Sequence, residues 1–142
     1  MRPYAEARKA PARLLLLEPQ QLLRRTVTAV ARELHAVQID EATSTEGAQR
    51  LLDQVRFDAM VVSLDDEGAA VAMLERVRAG EFTTPRAVPV VVMTGACDER
   101  TVLQMRGLEV RRILLKPFKV KGVLETIAQL AVPLPTPLAA NA

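Results

Sequence analysis

Four polar residues of this chain, one acid, one base and two alcohols, each follow a short apolar run directly. Glu18 follows residues 14–17, Ser63 follows 59–62, Thr94 follows 90–93, and Lys116 follows 113–115. A serine hydroxyl must lose its proton when it attacks an electrophile, so it needs a neighbouring base, a part that a carboxylate can take. An ammonium group that is partly buried needs a counter-charge. The chemistry open to these residues therefore depends on whether the fold brings them together.

The apolar runs have the form of buried strands. They are three to five residues long, contain β-branched residues and are separated by stretches long enough for a helix, which is typical of a parallel sheet. In such a sheet, the residues just past the carboxyl ends of the strands share one crevice. The sequence therefore predicts that Glu18, Ser63, Thr94 and Lys116 converge on one site.

Five strands alternate with five helices along the chain, which predicts an α/β doubly wound, five-stranded parallel sheet of the flavodoxin-like type. The strands are predicted at residues 13–18, 37–41, 56–63, 88–93 and 111–115, and the helices at 20–34, 43–54, 68–79, 98–106 and 119–130. Thr43 and Glu46 have the spacing of a capping box. Asp98 is a candidate N-cap and Gly80 a candidate C-terminal cap. Residues 1–12 are expected to form a flexible arm, 13–130 the domain, and 131–142 a Pro-rich mobile tail.

The composition indicates one domain with an aliphatic core. The chain has 142 residues, a formal charge of +2, no Trp, one Tyr and three Phe. No apolar run approaches the roughly 18 residues of a membrane span, and the first apolar run is too short for a signal peptide. The single cysteine, Cys97, is typical of a reducing compartment. These features predict a cytoplasmic location and no membrane contact.

The arrangement of the four polar residues resembles the receiver domain of two-component response regulators. In that family two acidic residues follow the first strand, an aspartate nucleophile follows the third, a Ser or Thr the fourth, and a Lys-Pro pair the fifth. Here the separations from Glu18 to Ser63, Thr94 and Lys116 are successively 45, 31 and 22 residues, close to the family's spacing. The resemblance covers about residues 12–130, and Lys116-Pro117-Phe118 and Thr94 carry it most specifically.

The chain departs from the family's pattern at the residues that phosphorylation requires. Ser63 stands in the place of the aspartate nucleophile, and Pro19 in the place of the second acidic residue. The resemblance also implies that a magnesium ion would take a backbone carbonyl from Asp65, two residues past the nucleophile's place. With one family carboxylate left, at Glu18, we expect at most weak magnesium binding, with Glu18 and Asp65 as the candidate ligands.

The remaining positions of the resemblance are those that respond to phosphorylation in the family. The family's lysine pairs with the phosphoryl group, so without phosphate we expect Lys116 to contact Glu18. The resemblance also implies a cis peptide before Pro117. The family couples its Ser or Thr to an aromatic residue three positions before the lysine, where this chain has Ile113, a side chain that is stiff and lacks a hydroxyl. Thr94 is left to bond the Gly95-Ala96 loop.

These features predict a stand-alone, receiver-like module of bacterial signalling, a pseudo-receiver that is not an enzyme. It would bind a histidine kinase, a phosphotransfer protein or another regulator, and could form a homodimer. The resemblance implies docking through the fourth helix, fifth strand and fifth helix, a basic face with Arg100, Gln104, Arg111, Lys119 and Lys121. No nucleic-acid-binding motif is visible.

Two alternatives stay open. In the first, Ser63 or Asp65 accepts a phosphoryl group, with Glu18 and Asp65 holding magnesium and Lys116 neutralising the product. His35 is the only histidine, and the resemblance places it far from the crevice. In the second, the crevice binds a small molecule, because flavodoxin-like folds host many functions; the lack of a Gly-rich loop after the first strand disfavours a nucleotide.

Overall fold

The computed structural model describes residues 12–33, 37–64 and 68–130, and it contains five strands and five helices in alternation. The strands are β1 (Ala12–Leu17), β2 (Val37–Ala42), β3 (Ala59–Ser63), β4 (Val90–Thr94) and β5 (Arg112–Leu115). The helices are α1 (Gln21–Arg32), α2 (Thr45–Gln54), α3 (Ala69–Arg78), α4 (Glu99–Gly107) and α5 (Val120–Leu130). All strand pairs are parallel, in the order β2-β1-β3-β4-β5. The predicted doubly wound fold, with β3 at its centre, is confirmed.

The sheet has a hydrophobic layer on each face. Leu15 and Leu17 of β1 pack with α2 and α3, whereas Leu14 and Leu16 pack with α1 and α5. Every residue of β3 and β4 is buried, as expected of central strands that are covered on both faces. Burial of a large aliphatic side chain contributes about 1.5–3 kcal/mol. The two layers therefore fix the sheet, and with it the positions of the strand ends.

Several element boundaries differ from the prediction for local reasons. Strand β3 begins at Ala59 rather than 56, because the N–H of Phe57 donates to the hydroxyl of Thr84 at 3.0 Å instead of to a strand. Strand β4 begins at Val90, after Pro89, which has no N–H to give to the ladder. The first strand begins at Ala12, one residue inside the predicted arm.

The helix caps follow the sequence in two of three cases. Asp98 caps α4 by accepting from Thr101 N at 2.8 Å, as predicted. Gly80, with φ of 80°, ends α3: its N–H donates to Val77 O. The capping box prediction is wrong, because Ser44 rather than Thr43 is the N-cap of α2.

Some predictions fall outside the described residues. These are the arm at 1–11, the tail at 131–142, His35 and Asp65. Within the ranges that the structure describes, no helix is long and apolar enough to cross a membrane.

Candidate functional site

The four polar residues lie at the carboxyl edge of the sheet. In the register of the strands Leu17 is opposite Val62, Ser63 is opposite Met93, and Thr94 is opposite Leu115. The ends of β1, β3, β4 and β5 therefore lie side by side. Glu18, Ser63 and Thr94 are buried, with 1%, 2% and 5% of their surface exposed. The structure thus brings the predicted residues together.

Lys116 forms the centre of the site. Its Nζ donates to Glu18 Oε1 at 2.9 Å and to Ser63 Oγ at 3.1 Å. The predicted contact between Lys116 and Glu18 is present, and it is an ion pair in which 1% of the Glu18 side chain and 16% of the Lys116 side chain are exposed. At such burial each charge depends on the other for compensation, so the two groups hold each other in place.

The carboxylate of Glu18 is engaged at both oxygens. Oε2 accepts the backbone N–H of Gln20 at 2.9 Å, while Oε1 accepts from Lys116. The backbone N–H of Glu18 donates to Ala42 O on β2 at 3.1 Å. These two bonds fill two of the roughly four acceptor positions of the carboxylate.

Arg24 of α1, which no sequence pattern singled out, is hydrogen-bonded to the loop after β1. Its guanidinium donates to Glu18 O at 2.9 Å and Pro19 O at 3.3 Å, and pairs with Glu41 at 2.9 Å. Thr28 donates to the other oxygen of Glu41 at 3.0 Å. A cation in the first turns of a helix is disfavoured by the helix dipole, and that mismatch was the available signal that Arg24 has a tertiary partner.

The loop after β4 is bonded through Thr94. The hydroxyl donates to Ala96 O at 2.8 Å and accepts from Ala96 N at 3.2 Å, as the sequence predicts for this loop. The carbonyl of Thr94 accepts the N–H of Lys116 at 2.8 Å. Ile113 is half-buried and packs against the hydrophobic layer under α2 and α3. Its part as a switch position stays a prediction.

The described side chains at this site offer a magnesium ion one carboxylate. Magnesium requires several oxygen ligands in octahedral order. At this site the only described carboxylate, that of Glu18, already bonds an ammonium group and an N–H, and position 19 is an exposed proline. No cluster of three acidic, His or Cys side chains occurs in the part of the chain that the structure describes. Asp65, the other predicted ligand, lies outside that part.

The peptide bond between Lys116 and Pro117 is cis, as the resemblance implied. Of the residues predicted to form a basic docking face, Arg100, Gln104, Lys119 and Lys121 are exposed and Arg111 is half-buried. Docking through these residues stays a prediction. Two large apolar residues are exposed on α4 and β5 beside them, Leu103 at 59% and Leu115 at 54%. Cys97 is a half-buried free thiol in the loop before α4.

No protein-family model matches the sequence, and no curated protein matches it either. Solved structures do match. The chain is similar to the chemotaxis protein CheY4 of Vibrio cholerae, with a TM-score of 0.75 and 16% identity over 85% of this chain and 99% of that one. A response regulator from Thermotoga maritima has a TM-score of 0.73 and 17% identity, over 87% and 99% of the two chains. An orphan response regulator of H. pylori has a TM-score of 0.72 and 17% identity, over 84% and 96%.

Identities this low bear on the fold and not on the chemistry of the site. The solved structures are nevertheless covered almost completely, at 99% of each of the first two chains. The resemblance drawn from Lys116-Pro117 and its spacing is therefore confirmed at the level of architecture: the chain has the fold of the receiver domains of two-component response regulators.

Proposed function

We propose that this chain is a receiver-like signalling module, located in the cytoplasm, that binds a partner protein without first being phosphorylated. The observation that carries the proposal is the position of the Lys116 ammonium group, which bonds Glu18 and Ser63 at the same time. In the receiver pattern that lysine pairs with the phosphoryl group. Here the protein's own groups already occupy it.

The position of Ser63 supports the same conclusion. Its hydroxyl is buried and accepts a hydrogen bond from a cation, which stabilises the oxygen as an acceptor without taking its proton. Attack on phosphorus needs a base at that proton. Both oxygens of Glu18, the described carboxylate that bonds the same ammonium group, already accept hydrogen bonds. We infer that Ser63 is a structural polar group and that the module has no catalytic role.

The hydrogen bonds of the loops after β1 and β4 also support a binding function. Arg24 ties the loop after β1 to Glu41, and Thr94 ties the loop after β4 to Ala96. A receiver uses movement of such loops to report phosphorylation; here they have fixed partners in the resting chain. The proposed partner is a kinase, a phosphotransfer protein or another regulator, and the bound state is controlled by concentration and not by phosphate.

Intact-mass measurement with acetyl phosphate tests the proposal. The purified chain is incubated with acetyl phosphate and magnesium, next to a receiver that retains its aspartate as a positive control. We expect no phosphate-sized mass increase in this chain under conditions that modify the control. A mass increase that disappears in Ser63→Ala would overturn the proposal and establish the alternative in which Ser63 accepts phosphate.

A mass increase that persists in Ser63→Ala would also overturn the proposal, and would make Asp65 the candidate acceptor. Asp65→Asn in the same assay separates those two cases. The remaining alternative, a small-molecule site in the crevice, predicts a non-covalent mass in native mass spectrometry of the chain purified from its host. We expect the mass of the chain without a bound molecule.

A further inference from the structure

A cavity of about 580 Å³, named here the α2–α3 cavity, lies between helices α2 and α3 where they begin at the carboxyl edge of the sheet. Its size is within the range of cavities that bind small molecules. Ser63, Thr94 and Lys116 are not among the described residues that line it. The α2–α3 cavity is therefore separate from the crevice in which Lys116 bonds Glu18 and Ser63.

The floor of the α2–α3 cavity is apolar. Leu17 and Met73, both 1% exposed, form its back, and Ala69 and Ala72 form its side on α3. The two alanines are exposed, and their methyl groups leave open the space that larger side chains would fill. Apolar atoms of a ligand can therefore be buried against a surface that belongs to the rigid core of the fold.

Arg76 lines the α2–α3 cavity and is held in one orientation. Its Nε donates to Glu81 Oε1 at 2.8 Å, and its Nη1 donates to the side-chain oxygen of Gln49. Its Cζ lies 4.8 Å from the centroid of the Phe82 ring. Nη2 bonds none of these groups. A guanidinium fixed in this way presents its remaining N–H groups to a carboxylate with little loss of side-chain entropy.

Glu46 supplies a negative charge to the same cavity. It lies in the first turn of α2, where the helix dipole favours a carboxylate. Its side chain forms no ion pair with the residues that the structure describes. Gln49, which bonds Arg76, follows Glu46 by three residues and so lies on the same face of α2, about 5–6 Å away between Cβ atoms. One cation and one carboxylate thus line the cavity about one helical turn apart.

This pair of charges selects among ligands. A simple anion that bonds Arg76 meets the carboxylates of Glu46 and Glu81, and a simple cation that bonds Glu46 meets Arg76. A zwitterion places each of its charges beside the opposite one. In a dipeptide the two Cα atoms are about 3.8 Å apart and the charged groups lie beyond them, which is comparable with one helical turn.

The entrance of the α2–α3 cavity also departs from the receiver pattern. Pro19 lines it and is exposed. The pattern has an acidic residue in that place, which would add negative charge next to the apolar floor. Proline adds no charge and packs an apolar ring there, so the entrance suits a molecule with an apolar body.

We infer that the α2–α3 cavity binds a small zwitterion with an apolar body, of the class of a free apolar amino acid or dipeptide. Its carboxylate bonds Arg76, its ammonium group bonds Glu46, and its side chains pack on Leu17, Ala72 and Met73. The inference goes beyond the proposed function and does not depend on it. A ligand bound at an open surface exchanges quickly and is lost on purification, in agreement with the mass expected for the chain from its host.

Titration of the full, isotope-labelled chain with leucyl-leucine and with leucine, followed by NMR, tests the inference. We expect at least one of the two to bind, with the largest amide shifts at Glu46, Gln49 and Met73. Two analogues of the zwitterion that binds are the controls: the N-acetyl form lacks the ammonium group and the C-terminal amide lacks the carboxylate. Each should bind about fivefold more weakly, or less, because one charged hydrogen bond is lost.

Variants assign each charge to its residue. In Arg76→Gln the zwitterion and its amide should bind equally, and in Glu46→Gln the zwitterion and its N-acetyl form should bind equally. Ala72→Leu, which fills the floor, should abolish binding, whereas Ala29→Leu, at an exposed alanine of α1, should leave it unchanged.

Three results would each overturn the inference: no binding of either zwitterion at millimolar concentration, wild-type binding of either analogue as tight as that of its zwitterion, or shifts centred on Ser63 and Lys116. The mass measurement with acetyl phosphate concerns other residues. Failure of the α2–α3 cavity and failure of the proposed function are therefore distinguishable.

Discussion

Lys116 and Glu18 form an ion pair of 2.9 Å between residues that are 98 positions apart. They follow β5 and β1, which are separated in the sheet by β3 and β4. The pair therefore spans the crevice, with Ser63 bonded to the same ammonium group. Its strength decides both how stable the carboxyl edge of the sheet is and how free Lys116 is to bind anything else.

The first prediction concerns the stability that depends on this pair. Lys116→Met leaves the buried carboxylate of Glu18 without its counter-charge, so the free energy of unfolding should fall by about 3 kcal/mol. Glu18→Gln should also destabilise the fold, because it leaves an ammonium group without a carboxylate. The double variant should cost less than the sum of the two single variants, since neither charge is then left alone.

Urea denaturation of the wild type, both single variants and the double variant gives the coupling energy. Exchange of the exposed Lys121 for Met is the control for loss of a lysine, and we expect it to change stability by less than about 0.5 kcal/mol. Additive effects would show that Lys116 and Glu18 do not depend on each other.

The second prediction concerns two carboxylates of the receiver pattern, at positions 19 and 63, that this chain does not have. Pro19→Asp together with Ser63→Asp supplies two carboxylates beside Glu18, and hard oxygen ligands of this kind are what magnesium binds. Without the metal, the double variant should be less stable than wild type because like charges meet at a buried edge. With magnesium its melting temperature should rise; at 100 times the dissociation constant the gain is about 2.7 kcal/mol.

Thermal unfolding with increasing magnesium chloride checks this, and calcium-free sodium chloride at matched ionic strength controls for screening. Wild type should show no rise beyond that of the salt control. A wild-type rise equal to that of the double variant would mean that the natural crevice already holds the ion, through groups such as Asp65 that complete the cage.

The sequence was sufficient to place the strand ends and the contact between Lys116 and Glu18, but not the bonds of Thr84 and Arg24. Apolar runs stop where Glu18, Ser63, Thr94 and Lys116 begin, and parallel topology then forces these residues to one edge. The carboxyl ends of the strands were predicted to within one residue, whereas the start of β3 was three residues off. Burial determines where a strand ends at the crevice; a side-chain bond such as that of Thr84 to Phe57 N determines where it starts.

Arg24 and Leu22 show what sequence patterns do not contain. The partner of Arg24 is a carboxylate on β2, and which carboxylate it meets depends on how α1 is rotated over the sheet. Leu22 reads as one more leucine next to Leu23 on an amphipathic helix; only the position of the helix shows that it points away from the core. Both depend on tertiary placement to within a fraction of a helical turn.

The third prediction follows from the cap of α4. Hydrogen bonds from Thr101 hold the pKa of Asp98 below its usual value of 3.8. A carboxylate whose pKa is lowered in the folded chain stabilises the fold above its unfolded pKa, and that contribution is lost as the pH falls through the folded pKa. Asp98→Ala should therefore lower the melting temperature at pH 7, and the difference from wild type should shrink as the pH falls below 3.8.

Melting curves across the acid range check this, with Asp98→Asn as the matched variant. Asparagine caps a helix without titrating, so it should keep most of the stability at neutral pH and lose the pH dependence. A difference between Asp98→Ala and wild type that stays constant into acid would mean that the charge of Asp98 contributes nothing.

The last prediction concerns Arg78, at the opposite edge of the sheet. Its guanidinium donates to the carbonyls of Leu108, Arg86 and Val88, each at 2.7 Å. One planar group therefore ties the end of α3 to the end of α4 and to the loop before β4. Burial lowers the pKa of Arg78 from its usual value, but an arginine still carries its charge at neutral pH.

Lysine keeps that charge, but it has a single nitrogen, whereas the guanidinium of Arg78 donates from more than one. Arg78→Lys should therefore lower the free energy of unfolding by roughly 1–3 kcal/mol, the worth of hydrogen bonds from a charged group. The exposed Arg106, also at a helix end, is the control, and Arg106→Lys should be close to neutral. Hydrogen exchange should quicken at Leu108 and Val110 in Arg78→Lys, because their amides lie in the turn that the guanidinium holds. Equal stability of the two variants would show that the charge, and not the geometry of the fork, is what that turn requires.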